Sequence, residues 1–479
     1  MLTMFTYKVN AQKYDLQYYS NETILSPKQM EEDILEFYYF VLQVHPNPFM
    51  TLNPAMLDKN VHKIIDECKD YMTVNDFSMH IAKLNQYFDA HTLVLFNTKK
   101  WENYDKIKVP NLIEENDEMY FDVVNSVGGI NDTTLCGKKI LTIADANLET
   151  IKNYVLQYLP QVKLSTQEFV NIYLCENFKG TKVEVKYLNN DNSIQTTYFT
   201  DSNFVFSGFE KEKTNQENFV HKKSIVDTRY FPDEDLAIIE LNTFSLYEKD
   251  EINLYKKAVQ TTFDSLNKLG TKNLFVDVTL NGGGNSGYGD QFLSYLSGDT
   301  TAILTGQSIF KVSKPMKNWR MKFIGKWKFY YLNYLFSKEV REFSRLKEGT
   351  YWVENLKWKP QKTSCKYKGN VYIIQSGKTY SSATTFVATA KSCRLATLLG
   401  EETLGLASCY IDLVPKKLKN SKLMSFCSSQ YQHYYLPEAD SSSPRGVLPD
   451  IEYKIDNPYQ SFTLEELKDM LRVINLKKK

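Results

Sequence analysis

The first hundred residues repeat apolar side chains at helical spacing. Ser26-Pro27-Lys28-Gln29 has the N-cap serine, first-turn proline and N3 glutamine of a helix start, and apolar residues recur through the following EEDILEFYYFVLQV. The prolines of His45-Pro46-Asn47-Pro48 end this helix, and 75–87 (NDFSMHIAKLNQY) predicts another. We therefore predict that residues 1–104 form a helical N-terminal region that ends in one strand, after Asp89-Ala90-His91-Thr92.

From residue 105 to 202 the pattern changes to short runs in which apolar and polar residues alternate. These runs, such as MYFDVVNSV, KKILTIADA, TKVEVKYL and SIQTTYFT, are separated by Asn, Asp and Gly turns, so we predict a β-rich module with one helix at 148–158. Residues 137–143 (GKKILTI), a polar turn and this helix are the arrangement expected of a module that pairs an extended peptide with a sheet edge. A purely structural β domain fits the same pattern.

From residue 203 to 460 predicted strands alternate with predicted helices. This order implies βαβ units and a mostly parallel sheet. The elements are strand 236–241, helix 248–269, strand 273–278, helix 289–296, strand 371–375 and strand 396–399. Thr463 and Glu466 start a helix in the C-terminal segment 461–479. The predicted fold class is therefore α/β, with an added β-rich module and a helical N-terminal region.

Length, charge and cysteine content narrow the functional class. A chain of 479 residues is too long for one compact core, and a formal net charge of +1 gives no overall field that recruits nucleic acid. No stretch is apolar over the length of a membrane span or a signal-peptide core. We expect a soluble, cytoplasmic chain, or an extracytoplasmic one if a signal peptide has been removed. Seven cysteines without CxxC spacing argue against a disulfide framework or a zinc site.

The stretch 369–390 (GNVYIIQSGKTYSSATTFVATA) predicts a strand, a tight turn and a helix. A hydroxyl at this junction, from Ser381 or Ser382, lies beside the unpaired N–H groups of a helix N-terminus, which favour a developing negative charge. It suits a nucleophile. Capping of the helix by Ser381 or Thr379 explains the same pattern without catalysis.

Two other stretches offer partners for such a serine. His91, beside Asp89 at the mouth of a strand, can serve as a general base or can make a structural hydrogen bond. The loop Asn281-Gly282-Gly283-Gly284 exposes backbone N–H groups but matches neither the P-loop nor the dinucleotide fingerprint. It is therefore an oxyanion site or simply a tight turn.

Residues 305–360 form a predicted insertion rich in Lys, Arg and aromatic side chains, including KNWRMKFIGKWKFYYLNYLF. Such a stretch forms a lid or cap with solvated basic groups, since long aliphatic stems cover apolar surface while their charges stay in water. A surface for an anionic membrane or an acidic ligand has the same composition.

The motifs DAHT, GKKILTI, VDVTLNGGGNSGYG, TYSSATTF, LLGEETLG and GVLPDIEY occur in one order along the chain. From about residue 30 to 455 this order resembles the tricorn and C-terminal-processing (tail-specific) protease family of serine peptidases. The resemblance implies a crotonase-like ββα catalytic core, a divergent PDZ-like domain at 105–202, and a peptide or unfolded polypeptide as substrate. It implies no metal or cofactor and no nucleic acid partner.

Carried over by position, the resemblance assigns the nucleophile to Ser382, which precedes Ala383. It places the oxyanion hole at the backbone N–H groups of Ala383 and Gly283. Tail-specific members use a lysine in a Gly-Lys pair as the base, but that pair is Gly405-Leu406 here. Tricorn-like members use the histidine of a DxHT motif, which is His91.

Tricorn-like members also have a glutamate shortly before the GVxPD segment. Glu438 is the candidate, with Asp440 or Ser443 competing for the place. The implied activity is that of a serine endopeptidase acting through an acyl-enzyme. Two alternatives are a family member that binds peptides without cleaving them, and a lipid or small-ligand binder that uses residues 305–360.

Overall fold

The structure is a computed structural model that describes residues 23–96, 112–121, 135–160, 164, 166–177, 182–200, 224–298, 301–322, 332–439, 445–455 and 457–477. Its α-helices are α1 (Pro27–Val44), α2 (Pro54–Glu67), α3 (Val74–Ala82), α4 (Leu148–Leu156), α5 (Thr166–Asn177), α6 (Lys249–Leu269), α7 (Ser286–Leu296), α8 (Lys314–Met321), α9 (Leu332–Phe336), α10 (Lys338–Arg345), α11 (Ser382–Ser392) and α12 (Leu464–Lys477).

Eighteen strands accompany these helices in the described ranges. They are β1 (Ile24–Leu25), β2 (Met72–Thr73), β3 (Leu93–Val94), β4 (Leu112–Glu115), β5 (Glu118–Phe121), β6 (Lys139–Ile143), β7 (Lys182–Leu188), β8 (Ile194–Thr200), β9 (Val226–Phe231), β10 (Leu236–Leu241), β11 (Asn273–Asp277), β12 (Ile303–Lys311), β13 (Tyr351–Trp358), β14 (Asn370–Gln375), β15 (Thr397–Gly400), β16 (Ser408–Lys417), β17 (Met424–Tyr434) and β18 (Ile451–Glu452).

The N-terminal helices follow the sequence pattern. α1 begins with the predicted capping box, in which the Ser26 Oγ accepts from the Gln29 N–H at 3.4 Å and the Gln29 side chain accepts from the Ser26 N–H at 2.9 Å. The second predicted helix is shorter than its pattern, because α3 ends at Ala82 and a 3-10 turn spans Asn85–Tyr87. Asp33 of α1 accepts from the Ser421 N–H at 2.7 Å, which ties this helix to the loop between β16 and β17.

The β-rich module has five antiparallel strands in the order β4-β5-β6-β7-β8. Two features differ from the sequence prediction. A second helix, α5, packs in the core of the module together with α4, because Phe169, Val170 and Leu174 form an apolar face. The GKKILTI strand, β6, is paired on both sides, so the edges of this sheet are β4 and β8.

A six-stranded sheet in the order β18-β15-β14-β11-β10-β9 carries the α/β part of the chain. All neighbours are parallel except β9, which is antiparallel to β10, so the prediction of a mostly parallel sheet is confirmed. Side chains of α6, α7 and α11 pack on one face, and α12 covers the other with Leu467, Met470 and Ile474. Parallel strands with both faces covered are fully buried, as the apolar run of β10 indicates.

A second sheet in the order β13-β12-β17-β16 contains the two ends of the predicted insertion 305–360. Both ends of that segment are strands, β12 and β13, which pair with each other. Between them, Met316 of α8 and Phe343 of α10 share one apolar core with the N-terminal helices and with Cys427 of β17. β3 joins this sheet by pairing with β17. Within the described residues, no helix combines the length and apolar character needed to cross a bilayer.

Candidate active site

The serine pair follows the central strand β14 through a turn held by hydroxyl groups. The Ser376 Oγ donates to the Thr279 carbonyl at 2.7 Å, and the Thr379 Oγ1 donates to the Val278 carbonyl at 3.0 Å. The Tyr380 N–H donates to the Asn281 carbonyl at 3.1 Å. Because neighbouring parallel strands end at the same edge of a sheet, these bonds place the turn after β14 against the glycine loop after β11.

Ser381 has a strained backbone conformation, with φ 55° and ψ −124°. A non-glycine residue with positive φ is uncommon, and such residues cluster at functional sites, as in the strained strand-to-helix turn that carries a serine nucleophile in α/β-hydrolases. The Ser381 side chain makes no capping hydrogen bond to α11. The half-buried hydroxyl is therefore not explained by the capping role that the sequence left open.

Ser382 is the first residue of α11 and is buried. Its Oγ has no hydrogen-bond partner among the described residues. An unpaired buried hydroxyl costs free energy, and so it needs a reason. The next amide is already used, since the Ala383 N–H donates to the Tyr380 carbonyl at 3.1 Å. The Ser382 N–H lies in the first turn of the helix, where N–H groups have no intrahelical acceptor.

Gly283 allows the glycine loop to approach the serine turn closely. A Cβ at this position would lie 2.7 Å from the Ser381 Cβ and 2.9 Å from the Ser382 nitrogen, so only glycine fits beside the serine pair. The Gly283 N–H donates to the Asn281 Oδ1 at 2.9 Å. Both amides that the sequence assigned to the oxyanion hole, those of Gly283 and Ala383, therefore have acceptors inside the protein.

We predict that Gly284→Ala destabilises the folded chain, because this glycine has φ 139° and an added Cβ would lie 2.1 Å from the Phe244 carbonyl carbon. The free energy of unfolding should fall by about 1–3 kcal/mol, measured by urea denaturation. Gly282→Ala in the same loop is the matched control, since a Cβ there meets no atom within 4 Å. Equal stability of both variants would contradict the close packing of this loop.

His91 lies directly beside the serine turn. Its ring faces the Tyr380 ring at a centroid distance of 6.3 Å and an interplanar angle of 30°. The Nδ1 atom is 3.0 Å from the Tyr410 carbonyl oxygen. A carbonyl only accepts, so this contact places the proton of a neutral ring on Nδ1 and leaves Nε2 as the unprotonated nitrogen. That tautomer is the one a general base requires.

Asp89 is the carboxylate next to His91, with Oδ1 3.8 Å from the His91 Nδ1. Oδ1 also accepts from the His91 N–H at 3.0 Å and from the Ser428 hydroxyl at 2.8 Å, and Oδ2 is 2.9 Å from the His45 Nε2. Burial acts to raise the pKa of Asp89, but the hydrogen bond from His45 and the other polar contacts outweigh burial, and the pKa lies below its usual range. Asp89 is therefore ionised at neutral pH.

Glu438 is held away from the histidine. Its Oε1 pairs with the Lys391 Nζ at 2.7 Å and accepts from the Leu448 N–H at 3.1 Å, and no hydrogen bond joins it to His91. Asp440 and Ser443, which compete for the same role, lie outside the described residues. Leu406, which stands at the sequence position of the tail-specific lysine, forms an isolated backbone bridge with Gly446.

The structure thus brings together three of the predicted features: the serine pair, the glycine loop and His91. Sequence reasoning placed Asp89 beside His91 without giving it a role, and it missed the Tyr410 carbonyl. Asp89 was visible as the first residue of the DAHT motif, whereas a backbone carbonyl leaves no sequence signal. In the described ranges, no group of three or more His, Cys, Asp or Glu side chains is placed to hold a metal ion.

We compared the chain with curated proteins, solved structures and protein-family models. No curated protein matches the chain. Mature CPAF has a similar structure, with a TM-score of 0.55 at 10% identity over 88% of this chain and 92% of CPAF. Mature CPAF complexed with lactacystin gives 0.53 at 11% identity over 94% and 98% of the two chains. The photosystem II D1 C-terminal processing protease gives 0.41 at 13% identity over 89% and 93%.

At this low sequence identity, the similarity to CPAF shows that most of the chain has the same fold. The family is indicated by sequence, since residues 235–453 match the model of peptidase family S41. This range contains β10, the glycine loop, the serine pair and β16–β17, which are the elements that build the site around His91. The chain is therefore similar to peptidase family S41 over residues 235–453, and this similarity indicates a serine-type peptidase.

Proposed function

We propose that this protein is a serine endopeptidase that hydrolyses peptides or unfolded polypeptides through an acyl-enzyme, with a serine of the 381–382 pair as nucleophile and His91 as general base. One observation carries the proposal. Two segments far apart in the sequence meet where the His91 ring lies against Tyr380, directly before the serine pair and beside the glycine loop.

The family resemblance assigns the nucleophile to Ser382, and its buried, unpartnered Oγ supports that choice. The backbone favours Ser381. Its φ and ψ angles are those of a strained turn before a helix, its hydroxyl is not used for capping, and its Cβ lies against the glycine loop. We therefore propose Ser381 as the nucleophile and keep Ser382 as the rival that mutation must test.

His91 activates the serine in this proposal. With the proton of the neutral ring on Nδ1, facing the Tyr410 carbonyl, Nε2 accepts the serine proton as the hydroxyl attacks the peptide carbonyl. The ring becomes positively charged, and Asp89 Oδ1 at 3.8 Å stabilises that charge. Glu438 is not needed for this step, because Asp89 supplies the carboxylate.

The oxyanion site lies at the N-terminus of α11. If Ser381 attacks, the amide that follows is that of Ser382, in the first turn of the helix, where the dipole also favours negative charge. The glycine loop supplies the second donor. Gly283 remains the candidate from the sequence, and its bond to the Asn281 side chain has to open for its N–H to face the substrate.

The substrate class follows from the family. We propose the division of the chain into 1–104, 105–202, 203–460 and 461–479, with a crotonase-like core in the third segment and a PDZ-like module in the second. In this module an extended peptide adds to an edge strand, and the edges are β4 and β8. The chemistry requires only these side chains and water.

A second candidate is a family member that binds peptides without cleaving them. The engaged amides of Gly283 and Ala383 favour it, as does the pairing of Glu438 with Lys391. The membrane alternative is weaker, because Arg320 lies between the Phe310 and Phe343 rings at 4.6 and 4.7 Å and the Lys317 Nζ donates to the Leu346 carbonyl. These two cations are therefore committed to internal contacts.

The test is labelling of the purified chain with a serine-directed fluorophosphonate, followed by peptide mapping, alongside hydrolysis of an unfolded polypeptide. We expect one label, on the peptide that contains residues 381 and 382, and loss of hydrolysis in proportion to labelling. Ser392→Ala, which removes another buried, unpartnered hydroxyl from α11, should label like the wild type. An unlabelled, inactive protein that still binds unfolded polypeptide would favour the binding candidate.

A further inference from the structure

His45 is a fully buried histidine at the C-terminal end of α1, far in sequence from the serine pair. Its Nδ1 accepts from the Asn47 N–H at 3.0 Å, and its Nε2 lies 2.9 Å from the Asp89 Oδ2. Because Nδ1 accepts a hydrogen bond, a neutral ring carries its proton on Nε2 and donates it to Asp89. The ring also lies 4.5 Å from the Tyr410 ring, measured between centroids.

The two residues that orient His91 therefore both contact His45. Asp89 receives the His45 N–H on one oxygen and holds the His91 backbone on the other. Tyr410, whose carbonyl lies against the His91 Nδ1, packs its ring on His45. A buried carboxylate keeps its charge and orientation only when donors satisfy its oxygens, and His45 is the donor to Oδ2.

We propose that His45 is a positioning residue for the general base: its Nε2–H holds Asp89 as an oriented carboxylate, and Asp89 in turn holds the His91 backbone so that the ring stays against the Tyr410 carbonyl, and stabilises the charge the ring gains. This inference rests on the proposed function for its kinetic consequence. The hydrogen bonds on which it depends do not need the chain to be a peptidase.

The groups around Asp89 are consistent with this role. Apart from the two histidines, the titratable side chains that face it are Cys409, Cys427, Tyr380 and Tyr410, which come from β16, β17 and the serine turn. Burial raises the pKa of each of these groups, and the nearby Asp89 charge raises it further, so all four stay neutral at neutral pH. They add no cation that could replace His45.

The first measurement is long-range ¹H–¹⁵N NMR of the histidine rings in the full chain, which has only six histidines. We expect the wild-type His91 to carry its proton on Nδ1 with slow solvent exchange. His45→Phe and Asp89→Asn should both give mixed His91 tautomers and exchange at least roughly tenfold faster, as local opening becomes easier. His45→Gln keeps an N–H donor for Asp89 and should resemble the wild type.

The second measurement is the pH profile of kcat/KM for peptide hydrolysis. Asp89→Asn removes the charge that stabilises the positively charged ring formed as the serine attacks, so the plateau should fall and the acid limb should move to lower pH. His45→Phe should move the limb in the same direction by less, and His45→Gln should restore it.

His80→Phe is the matched control, since it removes another histidine that contacts a carboxylate, at 3.4 Å from Glu67, in the same N-terminal region. If His45→Phe lowers thermal stability but leaves the His91 tautomer and the acid limb unchanged, the positioning role is wrong and His45 is only structural. If the wild type hydrolyses no peptide, the proposed function fails, and the NMR result still decides the role of His45.

Discussion

Ser381→Ala is expected to lower kcat/KM for peptide hydrolysis by roughly 10⁴-fold or more, because removal of the nucleophile leaves only the oxyanion site and substrate binding to act. Ser382→Ala should stay within about tenfold of the wild type, since its backbone N–H, which is the part that the oxyanion requires, is unchanged. Initial rates on one fluorogenic peptide, for both variants and for Ser392→Ala, give the comparison.

The strained conformation of Ser381 provides a separate check on that assignment. Glycine adopts φ 55° without strain, so Ser381→Gly should raise the free energy of unfolding by about 1 kcal/mol while abolishing hydrolysis. If Ser382→Ala is inactive and Ser381→Ala remains active, the nucleophile is Ser382, as the family resemblance indicated. Full activity in both single alanine variants and in the double variant would show that neither serine is the nucleophile.

His91→Gln is expected to have an effect of similar size. Glutamine keeps a hydrogen-bonding side chain but cannot take a proton, so kcat/KM at neutral pH should fall by about 10³–10⁴-fold. The acid limb of the pH profile should disappear, and the residual rate should rise with hydroxide concentration, because the hydroxyl must then ionise without a base. Rates measured from pH 5 to 10 test this.

The control for this variant is His80→Gln, which changes a histidine that pairs with Glu67 away from the site. It should keep both the wild-type rate and the acid limb. A His91→Gln protein that folds, binds the fluorophosphonate at the wild-type rate and retains its pH profile would show that another group accepts the serine proton.

The strands of the six-stranded sheet could be predicted from sequence because each is a short apolar run bounded by turn residues. β10 was predicted with its observed ends, and β11, β14 and β15 were predicted to within one or two residues. These strands are buried on both faces, so composition alone marks them. α5 was missed because its apolar face is short and lies among polar residues in TQEFVNIYLCEN.

Other features depend on contacts between distant segments and have no local pattern. β3 pairs with β17, and α8 and α10 share a core with α1, so the segment 305–360 resembled an insertion when it is partly a sheet. In the site, residue types identified His91, the serine pair and the glycine loop. Which backbone N–H is free to bind the oxyanion depends on the φ angle of Ser381 and on the hydrogen bond that the Asn281 side chain accepts. Neither can be predicted from the sequence.

The apolar core that the N-terminal helices share with α8, α10 and β17 supports the strand that follows His91, whereas the serine pair belongs to the parallel sheet. The imidazole and the hydroxyl thus belong to segments that pack in two different apolar cores. A shortened product lacking its first hundred residues would keep the serine and the glycine loop but would have no proton acceptor beside them.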